Sequence, residues 1–358
     1  MTAEKEPLSL TGGGSWTRRG EWLEAMPGRV ITASADPEAA IDQWLLNTVG
    51  MPAKLHARLR REGGIQWKGD RLRLALFPYR EAGIEPAWQE LEVLSEDDFC
   101  LVVHKPAGMA VHPDGSGTEI TLDHVVAAHF AASGGGVAVR HIHRLDKDTT
   151  GPVLYAKNEY AQLALDEDMR AKAVSRLYAA IVKGVVPPEL KVIDAPIGRD
   201  RHHAARRRVS PGGQPAVTRI IGREVLQGGT VLKVQLETGR THQIRVHLSH
   251  MGHPLYGDAL YGGPPWSTGQ HSHPGSLMVN ESGWNASLGH SGQESSSLTG
   301  AGLASSGAAG SSGSGRQALH GELLAFSHPW TREPLEVADP WPEDMLRLHK
   351  QLGGAPQV

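Results

Sequence analysis

Five short apolar stretches restrict the fold more than any other feature: Phe99 to Val103, Val153 to Ala156, Leu177 to Val182, Thr218 to Val225 and Val231 to Glu237. Each reads as a β-strand. Gly228-Gly229 joins the last two and favours a hairpin, because glycine reaches the positive φ that a tight reversal requires. A helical pattern, about Glu159 to Lys172, lies among the strands. The expected class is therefore α+β with a mixed or antiparallel sheet.

A length of 358 residues suggests about two domains. Residues 1–28 are polar and carry Gly12-Gly13-Gly14 and Arg18-Arg19, so a flexible arm is expected there. Residues 29–85 form a candidate small domain. From Ala39 the positions Ala40, Trp44, Leu45 and Thr48 predict a short amphipathic helix, and Lys54 to Arg61 predict a basic one stopped at Gly63-Gly64. Ile65 to Asp70 and the alternating Leu72, Leu74 and Leu76 then predict two strands around a turn. This module resembles the alpha-L RNA-binding domain that often precedes RNA-modifying enzymes, without its usual glycine-and-asparagine turn; an unrelated small domain fits the same pattern. A linker over residues 80–90 contains Gly83 and Pro86. The larger domain is expected over 86–345, with a tail at 346–358. Between 264 and 317 the chain turns to Gly, Ser and His, which predicts a disordered insertion, since the apolar pattern resumes at Leu319, Leu323, Leu324 and Phe326.

Hydrophobic residues at 39% and charged residues at 21% exclude a wholly disordered or collagen-like chain. The single cysteine, Cys100, sits in an apolar run and is expected to be buried. One cysteine excludes an intrachain disulfide or a cysteine-built zinc site. No run approaches the roughly eighteen apolar residues that span a bilayer, and no signal-peptide pattern opens the chain, so a cytoplasmic protein without a membrane partner is expected. A net charge of -3 gives no global attraction to a polyanion; nucleic-acid affinity has to come from local basic patches.

Three polar segments carry candidate chemistry. His141 to Gly151 is a dense polar stretch leading into an apolar strand. An isolated His143-Arg144-Leu145-Asp146 string fits a solvated turn at least as well as a site, because surface Arg–Asp pairs form at little net gain. In Arg176 to Gly184, Tyr178, Ala180 and Val182 share one face of a strand, which suits a core tyrosine or one facing a pocket. In Gly239 to Pro254 the strand alternation gives way to Ile244, Leu248 and Met251 at helical spacing, with Thr241 as a candidate N-cap and Gly252 as a stop. Arg240 then lies at a strand-to-helix turn, from which a long cation reaches a neighbouring cleft.

Together these segments resemble the RluA-type pseudouridine synthases. The resemblance runs through His104-Lys105-Pro106-Ala107-Gly108, the HRLD string at 143–146 with Thr149-Thr150-Gly151, Tyr178 to Gly184, Gly239 to Arg245, Gly252 to Asp258, and Leu319 to Pro329. It covers roughly residues 92 to 345 apart from the insertion. Departures are Thr150 for serine, Arg176 for the frequent lysine, and Pro152 for an aliphatic residue; Pro152 lacks a backbone donor, so the strand is expected to start one residue late.

The resemblance implies an isomerase that converts uridine to pseudouridine in structured RNA, ribosomal or transfer, as a monomer without cofactor or metal. It implies Asp146 as the catalytic carboxylate, Arg240 as its neighbouring cation, Tyr178 stacked on the flipped base and helping remove the carbon 5 proton, and Arg144 as the residue supporting the vacated stack. The cluster from Arg199 to Arg208, with Arg206, Arg207 and Arg208, is expected in a loop and suits phosphate contacts. Three rivals are weaker. A catalytically silent RNA-binding protein would not need a carboxylate beside a polyanion. A metal hydrolase built on His242, His247, His250 and His253 lacks a shared helical face, and Asp146 with Asp148 make a poor glycosidase pair.

Overall fold

The computed structural model describes residues 12–115, 117, 119–266 and 315–355. It opens with strands β1 (Trp16–Arg19) and β2 (Trp22–Ala25). Helices α1 (Arg29–Thr32), α2 (Pro37–Asn47) and α3 (Ala53–Arg61) follow, then strands β3 (Ile65–Lys68) and β4 (Arg71–Leu74). The four strands form an antiparallel sheet in the order β1-β2-β4-β3. Asp36 caps α2 by accepting the Ala39 N–H at 3.1 Å, and α3 gives way to Gly63 at φ 72°. The flexible arm expected over 1–28 thus includes an ordered hairpin. Leu23 and Ala25 pair with Leu74 and Leu72 and are buried, while the polar residues between them face outward.

The larger unit continues with β5 (Val93–Glu96), β6 (Cys100–Lys105), α4 (Leu122–Ala132), β7 (Gly151–Ala156), α5 (Glu159–Arg170) and β8 (Ser175–Lys183). Next come β9 (Val192–Asp194), β10 (Ile197–Arg199), β11 (Arg207–Val209), β12 (Val217–Leu226), β13 (Gly229–Leu236) and α6 (Gln243–His250). β14 (Leu319–Ser327), β15 (Pro334–Ala338) and α7 (Glu343–Gln351) complete it. The main sheet has the order β15-β14-β8-β13-β12-β9, beside a three-stranded sheet β5-β6-β7. Their named strands pair antiparallel, and one parallel bridge, Thr150 to His320, joins the two sheets. The chain is an α+β protein, and β12 and β13 form the hairpin expected at Gly228-Gly229.

The junction of the sheets requires glycine. Gly151 has φ 137°, and a Cβ there would meet the Gly321 backbone at 2.7–2.9 Å. Pro152 does not delay β7, which begins at Gly151 and pairs Pro152 with His104. Within the larger unit two helices lie where none was expected, as does the four-residue α1 in the smaller one. α4 buries Leu122, Asp123, Val125, Val126, Ala127, Ala128 and Phe130, nearly every face, so no amphipathic stripe marks it. α7 occupies the supposed tail and buries Met345, Leu348 and His349.

The small N-terminal sheet shares its core with the larger unit. Trp330 is fully buried, stacks on Phe99 at 6.1 Å, and meets Trp44 of α2 edge-on at 6.1 Å. Among the described residues no helix is long and apolar enough to cross a membrane.

The insertion expected to be disordered lies, over 267–314, outside the described residues. Its two ends meet: the Gly315 N–H donates to the Trp266 carbonyl at 2.8 Å, and Trp266 Nε1 donates to the Arg316 carbonyl at 2.9 Å. Closing a shorter loop across so small a gap changes the closure entropy little. Replacing residues 267–314 by a short glycine linker is expected to leave the thermal midpoint within about 2 °C. Insoluble protein or a midpoint lowered by about 8 °C would show that the segment supports the fold.

Candidate active site

The polar loop before β7, the face of β8, the turn after β13 and the first turn of α6 enclose a cavity of about 560 Å³. Arg144, Asp146, Arg176, Tyr178, Arg240 and Arg245 all line it. Asp146 heads a turn in which the Thr149 N–H donates to its carbonyl at 3.0 Å. Its carboxylate accepts from an Arg245 terminal nitrogen at 3.2 Å. The same guanidinium donates to both oxygens of Asp258, at 2.7 and 2.9 Å, and Asp258 is 1% exposed. Burial works against the Arg245 charge, but the hydrogen bonds and negative charge of Asp258, followed by those of Asp146, outweigh it and push its pKa up.

The cation beside Asp146 is therefore Arg245, where Arg240 was expected. The reversal into α6 explains the difference. The helix starts after His242, which sits in the left-handed region at φ 58°, and Thr241 is not its cap. Gln243 locks this turn: its side-chain oxygen accepts from the Arg240 N–H and the Thr238 hydroxyl, and its amide donates to Val217 and Thr218. Arg245, one step into the helix, is buried. Arg240 precedes the reversal and remains half-buried at the cavity wall, its Nε on the Pro215 carbonyl at 3.0 Å.

Tyr178 projects from β8 and is 5% exposed. Burial raises its pKa, Arg176 opposes that shift and Asp146 adds to it, so the phenol stays protonated near neutral pH. Arg144 is exposed at the rim, while Leu145 and Ile244 are buried.

Several residues that grip the loop at 146–150 were not singled out from sequence. Arg316 donates to the Asp148 carbonyl at 3.1 Å, to the Thr150 hydroxyl at 3.3 Å, and to Asp344 at 2.8 and 3.1 Å. Gln317 donates to the Thr149 hydroxyl at 3.2 Å. Lys105 is fully buried and spends its ammonium on the carbonyls of Pro106, Met109 and Lys147 at 2.7–2.8 Å. Burial pushes its pKa down to about 7.

The basic cluster spans the β10–β11 hairpin, with Arg206 in the expected connecting loop and Arg207 and Arg208 on β11. Arg206 and Arg245 each lie over the Tyr261 ring, at 5.6 and 5.1 Å. The Arg207 N–H donates to the Tyr261 hydroxyl at 2.9 Å, and that hydroxyl meets His242 Nδ1 at 2.9 Å. Arg208 is exposed. His247 of α6 is taken up by the Thr218 hydroxyl and the Ala195 carbonyl, and His253, beyond the helix, by the Lys183 carbonyl.

Asp97, Cys100 and His328 bring possible metal-ligating atoms together. His328 Nδ1 accepts the N–H groups of Trp330 and Thr331, so Nε2 carries the proton, which it gives to Asp97 at 2.8 Å. Burial raises the Cys100 thiol's pKa. Both ring nitrogens of His328 are thus engaged within the protein, which leaves that ring no free lone pair in this arrangement.

Two stability measurements test this geometry. Arg245→Ala leaves Asp258 buried without a partner and is expected to cost about 3–5 kcal/mol in urea unfolding, whereas Arg240→Ala costs under about 1 kcal/mol. Equal losses would contradict the assigned pairing. His143 is buried; its Nε2 accepts the Leu154 N–H at 3.3 Å and its Nδ1 has no partner among the described residues. Burial first, then Arg176 and His141, push its pKa down to about 3. The unfolded chain takes up that proton near pH 6.5. Stability from His143 is therefore intact above about pH 6.5 and drains as pH falls toward 3, by at most about 1.4 kcal/mol per pH unit. Unfolding of His143→Gln between pH 6.5 and 4.5 is expected to show a shallower slope than the parent, and parallel slopes would contradict a neutral buried imidazole.

A family model described as RNA pseudouridylate synthase matches residues 99–250, from β6 through α6. The chain is 35% identical over 331 residues to the uncharacterized RNA pseudouridine synthase YhcT of Bacillus subtilis, covering 92% of both chains. It is 36% identical over 266 residues to the ribosomal large subunit pseudouridine synthase D of Xanthomonas campestris, covering 73% of this chain and 69% of the relative. The match to YhcT takes in both the small N-terminal unit and the unit that encloses the carboxylate cavity, and the chain belongs to the RluA-type RNA pseudouridine synthases, an isomerase family acting on RNA.

Proposed function

We propose that this chain isomerises particular uridines of ribosomal or transfer RNA by drawing the target base into the cavity and using Asp146 at the sugar. The observation that carries this reading is the Asp146 carboxylate set against the buried Arg245–Asp258 pair and opening onto a space walled by Tyr178. A volume of about 560 Å³ suits one unstacked nucleotide. The name of the Xanthomonas relative supports a ribosomal target.

The reaction breaks the bond from ribose carbon 1′ to uracil nitrogen 1, turns the base, and joins carbon 5 to the same sugar carbon. Carbon 5 loses a proton and nitrogen 1 gains one, so no outside reactant is consumed. Asp146 supports the sugar as the base departs, by bonding to it or by balancing its charge. Arg245 orients that carboxylate and balances part of its charge. Tyr178 offers a flat wall for the base; a phenol held protonated suits stacking better than proton abstraction from carbon 5. Arg144, free at the rim, fills the space the base vacates.

Arg240 with Arg206, Arg207 and Arg208 supplies phosphate contacts along one side of the cavity. The reading needs neither a cofactor nor a second subunit and places the protein in the cytoplasm with its RNA. Asp146→Ala is expected to lower tritium release from RNA labelled at uracil carbon 5 by at least about 1,000-fold, with RNA affinity changed by less than about 3-fold. Release at the parental rate would sink the assignment.

A further inference from the structure

The cavity cations are unequally satisfied. Arg245 has two carboxylates, Arg240 has the Pro215 carbonyl, and Arg144 stands in solvent. Arg176 has none of these. It is 9% exposed, its Nε has no partner, and among the described residues its side chain makes no hydrogen bond or ion pair. Buried guanidinium groups are ordinarily paired, because an isolated charge away from water is costly. The Arg176 guanidinium packs beside Gly239, where a Cβ would come within 2.9 Å of a terminal nitrogen, a contact the flexible side chain can yield to. A guanidinium that lines the cavity with no acidic partner among the described residues is placed to meet a negative charge that arrives with the substrate.

The position of Arg176 indicates which charge. Arg176 and Tyr178 are two residues apart on β8, so both project from one face, and both line the cavity. The Tyr178 phenol feels Arg176 and Asp146 with opposite sign, which puts both charges within electrostatic reach of the ring. On the pseudouridylation reading, the sugar lies at Asp146 and the uracil on Tyr178. When the bond from carbon 1′ to nitrogen 1 breaks, its electron pair leaves with the base. The uracil becomes an anion with charge shared over nitrogen 1 and the two carbonyl oxygens. After rotation, carbon 5 returns a pair to carbon 1′, its proton departs, and nitrogen 1 is protonated.

We infer that Arg176 is a second catalytic residue, donating hydrogen bonds to the carbonyl edge of the flipped uracil and stabilising the anion formed when the base detaches. The contact is weak with neutral uracil and strong with the detached base, so it acts on the rate and little on binding. The inference rests on the pseudouridylation reading of the cavity. It also explains why a positive charge sits there unpaired: any resident carboxylate would cancel the field the departing base needs.

The experiment compares the parent protein with Arg176→Gln, Arg176→Lys and Asp146→Ala on carbon-5-tritiated total RNA from cells lacking this protein, with enzyme in excess. Arg176→Gln is expected to slow single-turnover tritium release by about 100-fold or more, with half-saturation and the salt dependence of RNA binding unchanged and partial recovery in Arg176→Lys. Its thermal midpoint is expected to equal or exceed the parent's, because an unpaired buried charge has been removed. Higher half-saturation, with the salt slope reduced by about 0.7–0.9 and the maximal rate intact, would make Arg176 a phosphate contact and overturn the inference. A lower midpoint with unchanged turnover per folded molecule would make it structural and overturn it too. An active parent with an equally active Arg176→Gln defeats this inference alone, whereas an inactive parent or an active Asp146→Ala defeats the underlying reading.

Discussion

One guanidinium held between two carboxylates organises the functional end of this molecule. Arg245 satisfies Asp258 with two hydrogen bonds in a nearly dry setting and reaches Asp146 with a third. Its single positive charge cannot neutralise both acids. The excess negative charge falls on the more exposed partner, Asp146, at 17% side-chain exposure against 1% for Asp258. Asp258 thus fixes the direction of the guanidinium, and the guanidinium fixes Asp146. Much of the surrounding structure follows from this need: the left-handed turn at His242 that admits Arg245, the Gln243 lock beneath it, and the Tyr261 ring under the cation.

What the sequence disclosed about this arrangement divides along physical lines. The strands β6, β7, β8 and β13 were legible as short continuous apolar runs, buried on most residues, and β12 and α5 by one wetter face; all appear where the pattern placed them. The helix α4 and the β1–β2 hairpin were not. α4 buries almost every side, and the β1–β2 hairpin becomes apolar only through pairing with β4. For the site, Asp146 and Tyr178 stood in recognisable strings, and the structure brings both to one cavity. The neighbouring cation did not transfer. Arg240 and Arg245 lie on the same segment, and the choice between them depends on a φ angle at His242 that residue spacing does not encode.

The grip on the acidic loop was invisible for another reason. Lys105, Arg316 and Gln317 act on Lys147, Asp148, Thr149 and Thr150 from positions 42 to 168 residues distant. Each bond ends on a carbonyl or hydroxyl and leaves no charge pattern in the sequence. Arg316 follows directly on the long insertion, yet binds the loop and the first turn of α7 together. The ends of the insertion are pinned at Trp266 and Gly315, so the loop feels a fixed β14 whatever lies between them.

A net charge of -3 poses a problem for an RNA enzyme, and the distribution of charge around the cavity answers it. Long-range attraction to phosphate is weak for such a chain, so binding energy has to be gathered locally, where Arg206, Arg207 and Arg208 share one hairpin. Inside, the demand reverses with depth. On the proposed reading the sugar end needs negative charge, and the Asp146–Arg245–Asp258 group carries it. The base end on that reading needs positive charge only while the base is detached, and Arg176 offers it without an acidic partner among the described residues. A dipole of this kind would be damped by water and by free counterions. In that arrangement the buried Tyr178 and Arg176 limit screening by water along the cavity wall.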